Sequence, residues 1–156
     1  MIRNGGRQFM SQLSTKTINE IVINILRDIM DLEEKAIITE EFKDITNNDM
    51  HIIEAIGMQE PKSMSVVAAC QKVTVGTLTI AINNLVKKGY VNRQRGAKDR
   101  RVVLISLTKK GEAAYLHHEA FHKKVTKQLT DILEEQEIEV LFKAMTKLEE
   151  YLKELV

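Results

Sequence analysis

One cysteine, one proline, no tryptophan and seven glycines are all that this chain of 156 residues holds of those types, and each shortage excludes something. A lone Cys70 cannot close an internal disulfide, so a disulfide-stapled secreted domain is excluded and a reducing compartment is expected. So little proline and glycine leaves little room for linkers and predicts a mostly helical body. Aromatics at 4% argue against a sugar-binding or base-stacking surface. No apolar run approaches the roughly 20 residues that cross a bilayer, and the N-terminus lacks the basic-then-apolar layout of a secretion signal, so the cytoplasm is the expected location. There is no phosphate-cradling glycine loop, no serine or cysteine in a nucleophile elbow and no zinc-hydrolase motif, so no enzyme is expected. The acid pairs Glu33 with Glu34 and Glu134 with Glu135 are adjacent on helices and point apart, as solvated charges rather than a catalytic pair.

Charge is present in one place above all. From Lys87 to Arg101, seven basic residues (Lys87, Lys88, Arg93, Arg95, Lys98, Arg100, Arg101) face one acid, Asp99. This window carries +6 where the whole chain carries +1, which leaves −5 for the remainder. A concentrated basic tool on a mildly acidic body suits something that grips phosphates.

The apolar pattern is helical along most of the chain. Residues 1–13 are expected to be a flexible tail or a remnant of cloning, with Met10 offering a second start. Ile18, Ile21, Val22, Ile25, Leu26, Ile29 and Leu32 recur at three- and four-residue spacing and predict a long amphipathic helix from Ser14 to about Ile38. Thr46 to Asp49 caps a second helix whose buried face is Met50, Ile52, Ile53 and Ile56, ended by Gly57. Met64, Val66, Val67, Ala68 and Cys70 predict a third, with Cys70 on its apolar side as a small buried residue rather than a reactive thiolate.

Gln71 to Val73 reads as a tight turn, and Thr74 stands where an N-cap belongs, before the stripe of Leu78, Ile82 and Leu85. Two short helices joined by three residues are the pattern of a helix-turn-helix, whose second helix enters the major groove. Small residues on its leading edge, Thr74, Gly76, Thr77 and Thr79, let the backbone come close. Tyr90 to Arg93 and Arg101 to Leu107 predict a β-hairpin with Gly96 in its turn, a wing whose basic tip reaches the minor groove or the backbone. Thr108 caps a helix to about Ile132. The last helix, from Glu135 to Val156, carries Ile138, Leu141, Phe142, Met145, Leu148, Leu152 and Leu155 at helical spacing.

The expected fold is therefore mainly α with a small β-wing: a winged helix-turn-helix over 46–107, with dimerisation helices over 14–45 and 108–156. A second copy is the most economical cover for the terminal stripes, and a two-fold dimer presents two recognition helices about one DNA turn apart. Thr74, Thr77, Thr79 and Asn83 are expected near base edges, with Gly76 at the leading edge. Arg93, Lys98, Arg100 and Arg101 are expected at phosphates or the minor groove. Asp99 and Arg101 have a second reading, as a brace of the wing. A scaffold that keeps the winged helix for protein contacts is the rival class, but it does not require the +6 window.

KDRRVVLISLTKKG, with Asp99, Arg101, Leu107, Thr108 and Gly111, resembles the wing signature of MarR-type winged-helix regulators, and the order of elements is similar to theirs from about Ser14. ITNNDMHIIEAIGM, TVGTLTIAINNLVKKGYV and HHEAFHK are similar to the fatty-acid-synthesis repressors of Gram-positive bacteria. This resemblance implies a homodimeric repressor of a palindromic operator, with DNA affinity strengthened by acyl carrier protein bearing a long acyl chain. That partner is acidic, so the helix around His117 to Lys124 is its expected dock, with His118, Phe121 and His122 as the ligand or carrier contact.

Other signals stay open. His118 and His122 lie four apart on one helix, and with His51 and Glu33 they make a set that a tetrahedral zinc site would use, as zinc-sensing MarR repressors carry a similar one. His118 also borders the apolar stripe of Ala114, Phe121, Val125 and Leu129, where a hydrogen-bonded core histidine is the plainer reading. No cofactor is expected unless zinc is one. Release by a small apolar ligand is the remaining alternative.

Overall fold

Caps and turns decide where the elements begin. The computed structural model describes residues 15–155 except 38, 97, 98 and 100; the Lys98 and Arg100 expected at the wing tip, like the expected tail, lie outside the described residues. Helix α1 (Thr15–Ile37) carries the predicted stripe, but Ile21, Ile25, Leu26, Ile29 and Leu32 are all exposed. Its C-terminal end turns inward at Glu33 and Ile37, both buried. The expectation that Glu33 is solvated like Glu34 is thus corrected: Glu33 lies one turn before Ile37, on the side that enters the core.

Helix α2 (Asn47–Ile56) opens on a capping box, in which the Thr46 hydroxyl accepts from the Asp49 N–H and the Asp49 carboxylate accepts from the Thr46 N–H, each at 3.2 Å. It stops at Gly57, whose φ of +68° suits glycine. A two-residue strand β1 (Lys62–Ser63), not foreseen from the pattern, leads into α3 (Met64–Cys70). Met64, Val67 and Ala68 form the buried face of α3. Cys70 is exposed, against expectation; it lies two residues past Ala68, on the far side of a seven-residue helix from that face.

After a turn with Lys72 at φ +52°, helix α4 (Val75–Lys87) sets off at 105° to α3, within the range of helix-turn-helix units. Strands β2 (Val91–Arg95) and β3 (Val103–Leu107) pair antiparallel with Arg93 opposite Ile105, and β1 joins the other edge of β3 with Lys62 opposite Ile105. The strands start later than predicted. Arg101 and Val102 belong to the turn, where the Gly96 N–H donates to the Val102 carbonyl and the Val102 N–H to the Asp99 carbonyl.

Two compact units divide the chain after Tyr115. The first has a core of Ile37, Phe42, Ile53, Leu78, Ile82, Leu85, Tyr90 and Ile105 with their neighbours, drawn from both sides of the boundaries expected at 45/46 and 107/108. The division falls within α5 (Lys109–Asp131); α6 (Glu135–Glu154) follows in the second unit and has no buried residue. Among the described residues no single helix is long and apolar enough to cross a membrane.

The start of α5 is fixed by contact with the backbone at Tyr90. The Thr108 N–H donates to the Tyr90 carbonyl at 2.9 Å, the Thr108 hydroxyl donates to the Gly89 carbonyl at 2.6 Å, and the same hydroxyl accepts from the Gly111 N–H at 3.1 Å. A Cβ at Gly111 would fall 2.1 Å from the Tyr90 carbonyl oxygen. Gly111→Ala is therefore expected to destabilise the protein by about 2 kcal/mol or more, read as a lower urea midpoint. An unchanged midpoint would refute the close approach.

Candidate nucleic-acid interface

Leu78, Ile82 and Leu85 pin α4 to the core, so the opposite face is the one presented. Gly76, Ile80, Asn83 and Lys87 line it at three- and four-residue spacing, and all are exposed. Thr74 caps the helix, its hydroxyl accepting from the Thr77 N–H at 3.1 Å and lying 2.9 Å from the Thr77 hydroxyl. Both threonines are exposed at the leading edge, where the unpaired amides of a helix N-terminus favour phosphate.

Gly76 is not there for the fold. A Cβ would meet the Thr74 hydroxyl at an ordinary 3.7 Å, and the backbone is not in the left-handed region. Its exposed position leaves close approach from outside as its physical use. Thr79 sits differently from the sequence expectation, half-buried, with its hydroxyl donating to the Val75 carbonyl at 2.7 Å. It lines a crevice with Ser63, Val75, Arg93, Arg101 and Val103 rather than the outer face. Sequence reasoning passed over Ile80, 68% exposed at the centre of that face. The signal was available, since Ile80 falls four residues after Gly76 and three before Asn83. The apolar group on a base edge is the thymine methyl, which such a side chain can contact.

The basic window divides once side chains are placed. Lys87, Arg93, Arg95 and Arg101 are exposed, but Lys88 turns inward to Asp49 at 2.7 Å. Asp49 is itself buried and also caps α2, so Lys88 ties the end of the recognition helix to the start of α2. Arg93 donates from its Nη1 to the Asn83 Oδ1 at 2.6 Å. At the wing tip the Asp99 carboxylate accepts from the Arg101 backbone N–H at 2.9 Å, so this brace closes through the main chain.

A second tie lies behind the interface. The buried Tyr90 donates its hydroxyl to Asp44 at 2.6 Å, while Lys110 reaches Asp44 at 3.1 Å and lies 4.0 Å over the Tyr90 ring. Burial, then the hydrogen bond to Asp44, pushes the Tyr90 phenol above its ordinary value and keeps it a donor. The Tyr90 hydrogen bond, helped by Lys110, holds the Asp44 carboxyl below its usual range.

The remaining predicted residues fall in both units. Glu33, buried on α1, and His51, exposed on α2 with its Nδ1 3.4 Å from the Glu54 carboxylate, belong to the first. In the second, His118 is buried, Phe121 half-buried and His122 exposed, and the two histidine Nε2 atoms are 3.0 Å apart. Phe121 and His122 rings lie 5.4 Å apart. At that nitrogen separation one ring donates and the other accepts.

A helix presented through a two-helix turn, with a three-stranded wing beside it and basic side chains around both, defines a winged-helix DNA-binding regulator. Residues 34–116 match the family of the transcriptional regulators SarA and Rot, and the chain belongs to that family, with the winged-helix fold of MarR-type regulators. It is 38% identical to Streptococcus pneumoniae FabT in a crystal structure with DNA, a match covering 92% of this chain and 100% of that one with a TM-score of 0.87. It is 30% identical over 100 residues to the regulator BilQ of Clostridium symbiosum, covering 64% of this chain and 69% of BilQ. A Staphylococcus aureus MepR mutant bound to an oligodeoxyribonucleotide shares the fold at 22% identity, covering 87% of this chain and 98% of that one, with a TM-score of 0.61.

Gly76→Ala separates fold from interface. Stability is expected to hold or rise, since alanine is the better helix former, while affinity for DNA from the protein's own promoter falls about tenfold or more. Unchanged affinity in a gel shift would remove Gly76 from the contact surface.

Proposed function

We propose that the protein is a cytoplasmic, homodimeric repressor that binds a palindromic operator and controls fatty-acid synthesis genes, with long-chain acyl carrier protein as co-repressor. The observation that carries the reading is the match to FabT along nearly its whole length. The dimer is supported by what a single copy leaves uncovered. Ile21, Ile25, Leu26 and Ile29 on α1, and Leu141, Phe142, Met145, Leu148 and Leu152 on α6, are exposed apolar side chains at helical spacing, more than a soluble monomer leaves in contiguous patches. In the dimer Thr74 to Asn83 and the wing, Lys98 and Arg100 included, would meet the DNA.

For the co-repressor, the supporting features are the basic and histidine-bearing stretch His117 to Lys124 and the amount of apolar surface on the long helices. His118, Phe121 and His122 would then form the contact with the acyl carrier or its chain. The test is a gel shift on promoter DNA with long-chain acyl carrier protein and, as control, the carrier without its chain, alongside sedimentation of the free protein. Tighter binding with the acylated carrier alone, and a dimer in solution, are expected. An unchanged shift would overturn the co-repressor, and a monomer would overturn the dimer.

The close His118–His122 pair favours a second reading, a zinc-responsive repressor, because two imidazoles on one helix turn can converge on one ion. Metal analysis of protein purified without a nickel column decides it: about one zinc per chain and a zinc-dependent gel shift support zinc, and neither appearing ends it.

A further inference from the structure

The sequence assigns Arg93 to phosphates or the minor groove, and the structure places it against the recognition helix. Its Nη1 is 2.6 Å from the Oδ1 of Asn83, across from β2 to α4. A guanidinium has donors only, so the Asn83 atom that faces it must be the oxygen and the amide cannot be turned over. An asparagine alone on a helix surface offers either end of its amide to a base edge and discriminates poorly. Held by a charge-assisted bond, it offers one.

Asn83 is the right residue to be held. It lies three positions after Ile80 on the exposed face, opposite the buried Leu78, Ile82 and Leu85, and is itself exposed. Arg93 stands in the strand register opposite Ile105, whose side chain is fully buried, so the strand that carries the guanidinium is anchored in the core.

We propose that Arg93 is a positioning residue for base readout, which holds the Asn83 oxygen and turns its amide N–H2 toward the major groove to read the acceptor edge of a purine. Purine N7 is an acceptor in both adenine and guanine, and guanine O6 adds another, whereas cytosine presents an N4 donor at its edge. The pinned amide thus disfavours cytosine on the strand it faces, and it favours a purine over thymine, whose single acceptor O4 lies beside the bulk of the methyl group. This inference rests on the reading that α4 enters the groove.

Selection from a pool of random DNA duplexes tests it, with wild-type protein, Asn83→Ala, Arg93→Met, Arg93→Lys and the double variant Asn83→Ala/Arg93→Met. Thermal melts check that each variant folds; both positions are exposed. Wild type is expected to enrich a purine at one position of each half-site, and Asn83→Ala to lose that preference. Arg93→Met, which keeps the stem but no donor, should lose preference at the same position by roughly tenfold. Arg93→Lys, with a donor, should keep it to within about threefold, and the double variant should discriminate no worse than Asn83→Ala. Replacing the enriched purine by its 7-deaza analogue should weaken wild type and leave Arg93→Met indifferent.

The inference is overturned if Arg93→Met weakens all sequences alike, flattening the salt dependence while the preference at the Asn83 position stays intact. It is equally overturned if Asn83→Ala and wild type enrich the same sequences. If wild-type protein enriches no sequence at all, it is the reading of α4 as a groove-binding helix that fails.

Discussion

The close approach at Gly111 is the constraint on which the rest of the DNA-reading part depends. Three elements meet at the Tyr90 backbone: the end of α4, the start of β2 and the first turn of α5. The Tyr90 carbonyl accepts from Thr108, and the space above it admits no side chain at Gly111. The Tyr90 ring is buried and its hydroxyl reaches Asp44, which Lys110 also holds. With Lys88 bound to Asp49, the C-terminal end of the recognition helix is tied to the start of α2, and through Tyr90, Asp44 and Lys110 to the segment before it and to the head of α5. A partly buried, charge-assisted bond at each tie is stiffer than a surface ion pair, because both ends are also backbone-fixed. The pose of α4 is a property of this junction rather than of the helix-turn-helix alone.

That junction also explains why the basic window does two jobs. A charge count treats Lys87, Lys88, Arg93, Arg95 and Arg101 as equivalent. Placed in space, Lys88 fastens the helix to α2, and Arg93 makes a directed bond to Asn83, leaving Lys87, Arg95 and Arg101 as charges exposed on the surface. Exposed cations acting on phosphates give affinity that fades with salt and carries little sequence information, while directed bonds give the opposite. On the proposed role of Arg93, one stretch of chain would supply both terms from neighbouring positions.

Much of this was legible because it rests on local rules. The capping box at Thr46 and Asp49, the N-cap at Thr74 and the stripe of Leu78, Ile82 and Leu85 name their own elements. The misses have a common cause in direction. Cys70 and Thr79 were placed by residue type, although helical phase turns Cys70 out and tucks Thr79 against Val75. Glu33 is buried because of Ile37 one turn on, which a pairwise view of Glu33 and Glu34 misses. Strand β1 is two residues long and exists by pairing with β3, so no periodicity announces it. Ile80 was skipped because an apolar residue is usually read as core, and its exposure follows only once the buried stripe has fixed the opposite face.

The reading head and the long helices differ in kind of stability. The reading head buries a continuous core from Ile37 to Ala114 within one copy. By contrast α6, twenty residues long, buries nothing, and the middle of α1 is exposed on its apolar stripe. In proteins most helical stability comes from packing of the apolar face. The head is therefore complete within one copy, while the long helices leave apolar faces that the proposed dimer would cover. In the proposed dimer, symmetric cover by a second copy would satisfy both copies at once, and the separation of two recognition helices would depend on elements outside the reading head. On that proposal, affinity for a two-fold site would be set at the long helices, and the choice of base at α4.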